Sequence, residues 1–199
     1  SKTRIFVNEN LSSNKMIHIK DKQHHFLKSV LRIKIDDKIA LFDNSTGEWQ
    51  SKVVTVNRDT TTLQIYKKNR DMKNEPDIWL LFAPIKQQRL NITIQKATEL
   101  GVSKFIPCVT NYTNNHSLNY GNLKLNIIEA AEQSERLTLP SLENKISFNE
   151  FIENHPKDRA LVFCNEHIKG DESMFSSIMA QRKRYTKWTL LIGPEGGFS

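Results

Sequence analysis

"DIWLLFAPIKQQRLNITIQKATELGVSKFIPCVT", residues 77–110, decides the fold class. Its first eight residues are almost continuously apolar, the pattern of a strand covered on both faces. The next sixteen place Leu90, Ile94, Ala97 and Leu100 near one helical face, and Gly101 stands where a glycine ends a helix. "KFIPCVT" (104–110) then reads as a second strand. Strand, helix and strand in succession predict an α/β domain with a largely parallel sheet. The rest of this half fits. A polar loop over 111–122 precedes a helix over 123–137 with Leu123, Ile127, Ala130 and Ala131 inward. "RALVFC" (159–164) and "KWTLLIG" (187–193) read as further strands, with a weak helix near 171–180 between them.

Upstream the pattern differs. Short strands are expected at 3–7, 16–19 and 61–68, with a hairpin of 38–43 and 48–56 that turns at Gly47. One helix is expected from Asp21, which suits an N-cap, with Phe26, Leu27, Val30 and Leu31 on one face. Several short strands with one helix predict a small barrel. The charged, Pro-containing stretch 68–77 reads as a connection. The expected organisation is a barrel over 1–70, a linker over 71–76 and an α/β domain over 77–199.

The chain has 199 residues, 38% of them hydrophobic, and a formal net charge of +7. No apolar run approaches the ~20 residues that span a bilayer, and "SKTRIFVNEN" lacks the layout of a signal peptide. Cys108 and Cys164 stand far apart, which fits a reducing cytoplasm. The six His show no metal-ligand spacing, so no metal is expected. The charge is uneven. Residues 1–76 carry 15 Lys+Arg against 9 Asp+Glu, and residues 77–199 carry 14 against 13. A basic first part fits docking on a polyanion; a lysine-rich solvated surface would look the same.

In open α/β sheets ligands bind beyond the carboxyl ends of strands. Two such exits qualify: "VFCNEH" after 160–164, and "GPEGGFS" after 187–192. Three of the seven glycines fall in the last seven residues. Gly196 and Gly197 let backbone approach a ligand closely, and Pro194 forces the turn. A plain tight turn takes the same residues. Neither the dinucleotide nor the P-loop fingerprint is present. On the helices, Lys86, Arg89 and Lys96 form one charged group, and Glu132, Gln133 and Arg136 another. Each could be a solvated face.

The wording of three blocks goes further. "QKATELGVSKFIP" (95–107), "EAAEQSERLTLP" (129–140) and "LLIGPEGGFS" (190–199), with "HHFLKSVLR" (24–32) and "LFD" (41–43), resemble the ribosomal RNA small-subunit uridine N3-methyltransferase family. The resemblance covers essentially the whole chain. It implies a PUA-like RNA-contacting barrel, then a SPOUT domain with a trefoil knot, and a homodimer in the cytoplasm. It implies methyl transfer from S-adenosylmethionine to N3 of uridine 1498 in 16S rRNA of the small ribosomal subunit. By the same resemblance, Ile192, Gly193, Pro194, Glu195, Gly196 and Gly197 form one cofactor loop, with Phe163, Asn165 and Glu166 in the place of an earlier one. Arg32 is implied at the RNA, and Arg4, Lys86, Arg89 and Lys96 are further candidates for RNA contact. Arg136 is expected as the cation that steadies charge on the deprotonated ring, with Glu132 or a water accepting the N3 proton.

Two departures stand out. The family has Gly where Glu135 stands, and it continues through a third cofactor loop that this sequence lacks. The expectation is therefore an incomplete knot with weak or absent cofactor binding. Two other readings share the features: a non-catalytic RNA-binding protein, and a SPOUT methyltransferase acting on tRNA.

Overall fold

The computed structural model describes residues 3–110, 117–164 and 174–193. The chain divides into two compact units: residues 1–74 with 131–138, and residues 75–130 with 139–199.

The first unit holds β1 (Arg4–Phe6), β2 (Met16–Ile19), β3 (Lys38–Phe42), β4 (Glu48–Val56) and β5 (Thr61–Arg70), with one short helix, α1 (Asp21–His25). The sheet order is β1-β3-β4-β5-β2. β1 runs parallel to β3 and the other pairs are antiparallel. Alternation sets the inner face; in β2, Ile17 and Ile19 are buried and Met16 and His18 are exposed. These isoleucines join Ile5, Leu11, Leu27, Ile39, Leu41, Val53, Leu63 and Ile65 in one cluster. Gly47, at φ 94, turns the β3–β4 hairpin. A Cβ there would stand 2.2 Å from the Arg70 carbonyl oxygen, so the position requires glycine for space as well as for φ.

"LFD" has a structural explanation at this hairpin. Buried Asp43 accepts from the backbone N–H groups of Ser45 (2.8 Å), Thr46 (2.5 Å) and Leu11 (2.8 Å), and from the Thr46 hydroxyl (2.7 Å). Burial pushes its carboxyl up, but these donors outweigh burial and leave it below the usual carboxylate range.

Local helix expectations need correcting. Lys20, not Asp21, is the N-cap residue, and no side chain caps the helix. α1 passes into a π-helical turn over Phe26–Val30. Of the four apolar residues expected on one buried face only Leu27 is buried; Phe26, Val30 and Leu31 are exposed. The wider π turn rotates the face away from the 3.6-residue period.

The second unit contains β6 (Asp77–Phe82), α2 (Gln87–Glu99), β7 (Lys104–Val109), most of α3 (Tyr120–Gln133), β8 (Ser141–Leu142), β9 (Ile146–Ser147), α4 (Phe148–Glu153), β10 (Arg159–Phe163), α5 (Met174–Gln181) and β11 (Lys187–Ile192). The sheet order is β10-β11-β6-β7-β8, with β9 also on β7, and every pair is parallel. The apolar run of β6 serves both faces. Leu80 and Phe82 pack with Phe105, Leu90, Ile94, Leu123 and Ile127. Leu81 packs on the other side with Ile106, Leu191 and Phe151.

α2 ends as its sequence requires. Gly101 takes φ 98, its N–H bonds the Thr98 carbonyl at 3.1 Å, and the Val102 N–H bonds the Ala97 carbonyl at 3.0 Å. Leu100 is the exception to the expected face: it is 84% exposed, and Thr98 is buried instead.

The expected fold class needs a larger correction. β1 and β2 are the two ends of the first sheet and do not pair with each other, so no barrel closes among the described residues. Nor does any knot form among them. The observed fold is an open, mostly antiparallel sheet unit followed by an α/β unit with a parallel sheet.

Candidate functional site

In the parallel sheet β6 lies between β11 and β7, so the chain leaves it in one direction for β7 and reaches β11 on the other side. The carboxyl ends beside such a reversal are where α/β sheets bind ligands. Phe163 and Ile192 end β10 and β11, and are 44% and 45% exposed. The strands are held in register to their ends. The Cys164 N–H bonds the Leu191 carbonyl at 3.1 Å, and the Ala83 N–H bonds the Ile192 carbonyl at 3.2 Å. Gly193 follows, half-buried. Exposed apolar side chains at a pinned strand edge suit a flat, partly apolar ligand such as an adenosyl group. Asn165, Glu166, Pro194, Glu195, Gly196 and Gly197 lie outside the described residues. Burial pushes the Cys164 thiol up, so it is a poor nucleophile at neutral pH.

The opposite edge of this sheet holds a buried cation that the sequence reading missed. Arg159, 4% exposed, donates to the carbonyls of Asp77 (3.0 Å) and Trp188 (2.9 Å) and pairs with the Asp77 carboxylate. Its guanidinium lies 3.6 Å from the centre of the Trp79 ring, with Lys104 Nζ at 4.3 Å from the same ring. These contacts fasten strand starts, and the amino-terminal edge of the sheet is not where ligands bind.

In the first unit Arg4, a candidate for RNA contact, is 7% exposed and turned inward. Its Nε donates to Glu48 at 2.7 Å. Nη1 donates to the carbonyls of Ala131 and Glu132, both at 2.9 Å, and Nη2 to that of Arg136 at 2.6 Å. The Phe42 ring stacks on the guanidinium at 4.4 Å. Arg4 therefore caps the last carbonyls of α3. Glu132 lies in the same network, where its Oε1 accepts from the Phe6 N–H at 2.9 Å. Arg136 is 7% exposed and reaches the Thr138 hydroxyl at 3.3 Å; Gln133 is exposed. Glu48 also accepts from Arg70 (2.6 Å) and Asn69. Burial pushes the Glu48 carboxyl up, but bonds from Arg70, Arg4 and Asn69 prevail and hold it below the usual range.

Glu135 has φ 61, the left-handed region. It is the second residue after α3, where glycine is the default helix stop. That explains why the resemblance places Gly there, and the Arg70 Nη2 bond to the Glu135 carbonyl at 3.1 Å helps hold the turn.

The remaining candidate cations are on the surface. Arg32 takes φ 52 at the end of the π turn, which the Leu31 N–H to Phe26 carbonyl bond (3.0 Å) and the Ile33 N–H to Leu27 carbonyl bond (3.2 Å) close. Its guanidinium makes no hydrogen bond or ion pair among the described residues. Nearby, a cleft of about 310 Å³ is lined by His24, His25, Lys28, Ser29 and Arg58, with the carboxylates of Asp21 and Asp59. Lys28 is held over it by the carbonyls of Asn57 (2.9 Å) and Arg58 (3.1 Å), and Phe26 is 40% exposed. Cations along an open cleft suit the phosphates of an RNA strand. Lys28 lies within "HHFLKSVLR", the stretch from which only Arg32 is expected at the RNA. Arg58 sits alone in the β4–β5 turn and carried no sequence signal. In the second unit Lys86, Arg89 and Lys96 are exposed; Arg89 and Lys96 share the solvent face of α2, and Lys96 pairs with Glu99 at 2.9 Å. Among the described residues no group of three or more His, Cys, Asp or Glu could hold a metal ion, and no helix is long and apolar enough to cross a membrane.

Two family models match the chain. Residues 73–199 match a family model described as an RNA methyltransferase domain, and residues 19–66 one described as an RNA methyltransferase PUA domain. Over 197 residues the chain is 31% identical to the ribosomal RNA small subunit methyltransferase E of Rickettsia conorii, covering 98% of this chain and 79% of that protein. The Bacillus subtilis protein of the same name is 26% identical over 184 residues, covering 88% and 72%. Among solved structures, a Neisseria gonorrhoeae ribosomal RNA small subunit methyltransferase E bound to S-adenosyl methionine superposes with a TM-score of 0.82 at 22% identity, covering 100% of this chain and 82% of that one. A Legionella pneumophila methyltransferase with bound cofactor gives 0.84 at 21% identity, with the same coverage. The fold is thus that of these enzymes, a PUA-like unit followed by a methyltransferase unit, in place of the barrel and the incompletely knotted SPOUT domain expected from the sequence. A family model that spans most of the chain, and relatives aligned over nearly all of it, place it: the chain belongs to the ribosomal RNA small subunit methyltransferase E family.

Proposed function

We propose that this protein methylates N3 of uridine 1498 in the 16S rRNA of the small ribosomal subunit, with S-adenosylmethionine as methyl donor. The observation that carries the reading is family membership over both units, joined to an exposed strand edge at the carboxyl side of the parallel sheet. Phe163, Ile192 and Gly193 would hold the adenosyl part from that edge, and Asn165, Glu166, Pro194, Glu195, Gly196 and Gly197 are proposed as further cofactor contacts. When bound, the cofactor supplies an electrophilic methyl group.

The protein must do the rest. N3 of uracil lies on the pairing edge and carries a proton, so the base has to be unpaired before it reacts. Alignment of the reacting atoms supplies much of the rate. Loss of the proton leaves negative charge on the ring, which a fixed cation stabilises. Arg136 is proposed for this role, with Glu132, whose Oε1 accepts from the Phe6 N–H, or a water removing the proton. Residues 1–70 would dock the RNA through Arg32, Lys28 and Arg58, and Lys86, Arg89 and Lys96 would add phosphate contacts from the second unit. A cytoplasmic homodimer is part of the proposal.

The test is methyl transfer by the purified protein to small subunits from a strain lacking the modification, read by mass spectrometry of the 1498 nucleotide. Product at that uridine supports the reading. Labelled bulk tRNA with unmodified small subunits would replace it by the tRNA reading. RNA binding without transfer would replace it by the non-catalytic one.

A further inference from the structure

Arg4 and Glu48 form a nearly dry ion pair, with side chains 5% and 3% exposed. Such a pair is poor evidence for stability, because apolar residues of the same volume often do as well. Its geometry indicates a use. Glu48 receives Nε of Arg4 and so fixes the plane of the guanidinium. The two remaining nitrogens then meet three carbonyls: those of Ala131 and Glu132, which α3 leaves without helical partners, and that of Arg136 beyond the turn. One rigid fork thus holds both sides of the left-handed turn at Glu135. Phe6, on the same strand as Arg4, adds a bond from its N–H to the Glu132 carboxylate, and Arg70 bonds both Glu48 and the Glu135 carbonyl.

We infer that Arg4, aimed by Glu48, is a positioning residue: it sets the path of residues 131–138 and through it the placement of Arg136. The inference rests on the proposed function, in which Arg136 supplies the cation that stabilises the reacting ring. It gives Arg4 a role different from the RNA contact for which its sequence makes it a candidate. A lysine keeps the charge but not the fork, so Arg4→Lys separates the two roles.

The experiment measures kcat and KM for small-subunit particles, and cofactor affinity by calorimetry, for full-length wild type, Arg4→Lys and Glu48→Gln at a temperature well below each melting point. The expected result is a fall in kcat of about 10- to 100-fold in Arg4→Lys, the scale of a misplaced catalytic group. KM for the particles and cofactor affinity should stay within about threefold of wild type, with a smaller fall in Glu48→Gln. A purely structural role would lower the melting temperature and leave kcat per folded molecule unchanged, which overturns the inference. A raised KM with normal kcat would overturn it in favour of RNA contact. If Arg4→Lys does not fold, Glu48→Gln, which keeps shape and loses charge, carries the same kcat and KM test. Should wild type show no transfer, the proposed function itself fails, a result distinct from any of these.

Discussion

Arg4 donates to the main-chain carbonyl of Arg136 at 2.6 Å although the two residues are 132 positions apart. The bond joins the first strand of the chain to the turn that follows α3. Both residues resembled surface or cleft groups in sequence, and both are 7% exposed. The charge of the buried network is balanced by Glu48, whose loss would leave Arg4 uncompensated.

Glu48→Ala is therefore expected to cost about 3–5 kcal/mol, the usual consequence of removing one member of a buried pair. Urea denaturation checks this, and a cost below about 1 kcal/mol would show that water or Asn69 compensates.

Stability should also depend on acid. The Glu48 and Asp43 carboxyls both stand below their ordinary values in the folded protein. The stability they contribute is complete above the unfolded carboxylate pKa, about 4, and is lost as pH falls through the lower folded values. Melting temperature should be flat from about pH 5 to 7 and fall steeply below about pH 4. In Glu48→Gln that fall should be shallower, which thermal melts across the range will read.

Glu135→Gly should stabilise the protein or leave it unchanged. Relief of the left-handed backbone is worth about 1–2 kcal/mol, and the added freedom of glycine in the unfolded chain takes back about 0.4–1 kcal/mol. The exposed Glu135–Arg70 pair at 3.8 Å contributes little. Glu135→Val should destabilise, because a β-branched residue tolerates this backbone poorly.

The two positive-φ glycines should differ. Gly101→Ala meets nothing within 4 Å, so only backbone strain opposes it, about 1–2 kcal/mol. Gly47→Ala adds a 2.2 Å clash with the Arg70 carbonyl and should lose clearly more, displacing the β5 end that carries Arg70. Paired denaturation curves decide the order.

RNA docking through the first unit predicts a salt signature. Arg32→Ala and Lys28→Ala should each weaken binding of a single-stranded 16S fragment and lower the slope of log K against log salt by about 0.7. Cofactor affinity should not change. An unaltered slope in both would move the RNA face elsewhere.

Local periodicity alone gave the parallel-sheet class: the run at 77–82, Leu90 and Ile94 on α2, and the stop at Gly101 need no distant partner to be read. The blocks around 95–107, 129–140 and 190–199 were enough to indicate the family. Tertiary structure decided which of several equivalent-looking residues are buried. Leu27 is taken into the core while Phe26, Val30 and Leu31 are not, because a π turn breaks the period. Thr98 replaces Leu100 at the end of α2. Above all it decided Arg4 and Glu132. A charged side chain is buried only where distant groups satisfy it, and the carbonyls at 131, 132 and 136 that satisfy Arg4 are invisible from residues 1–7. Whether the first sheet closes was likewise beyond local reading, since closure depends on a ladder between β1 and β2 that the sheet order does not contain.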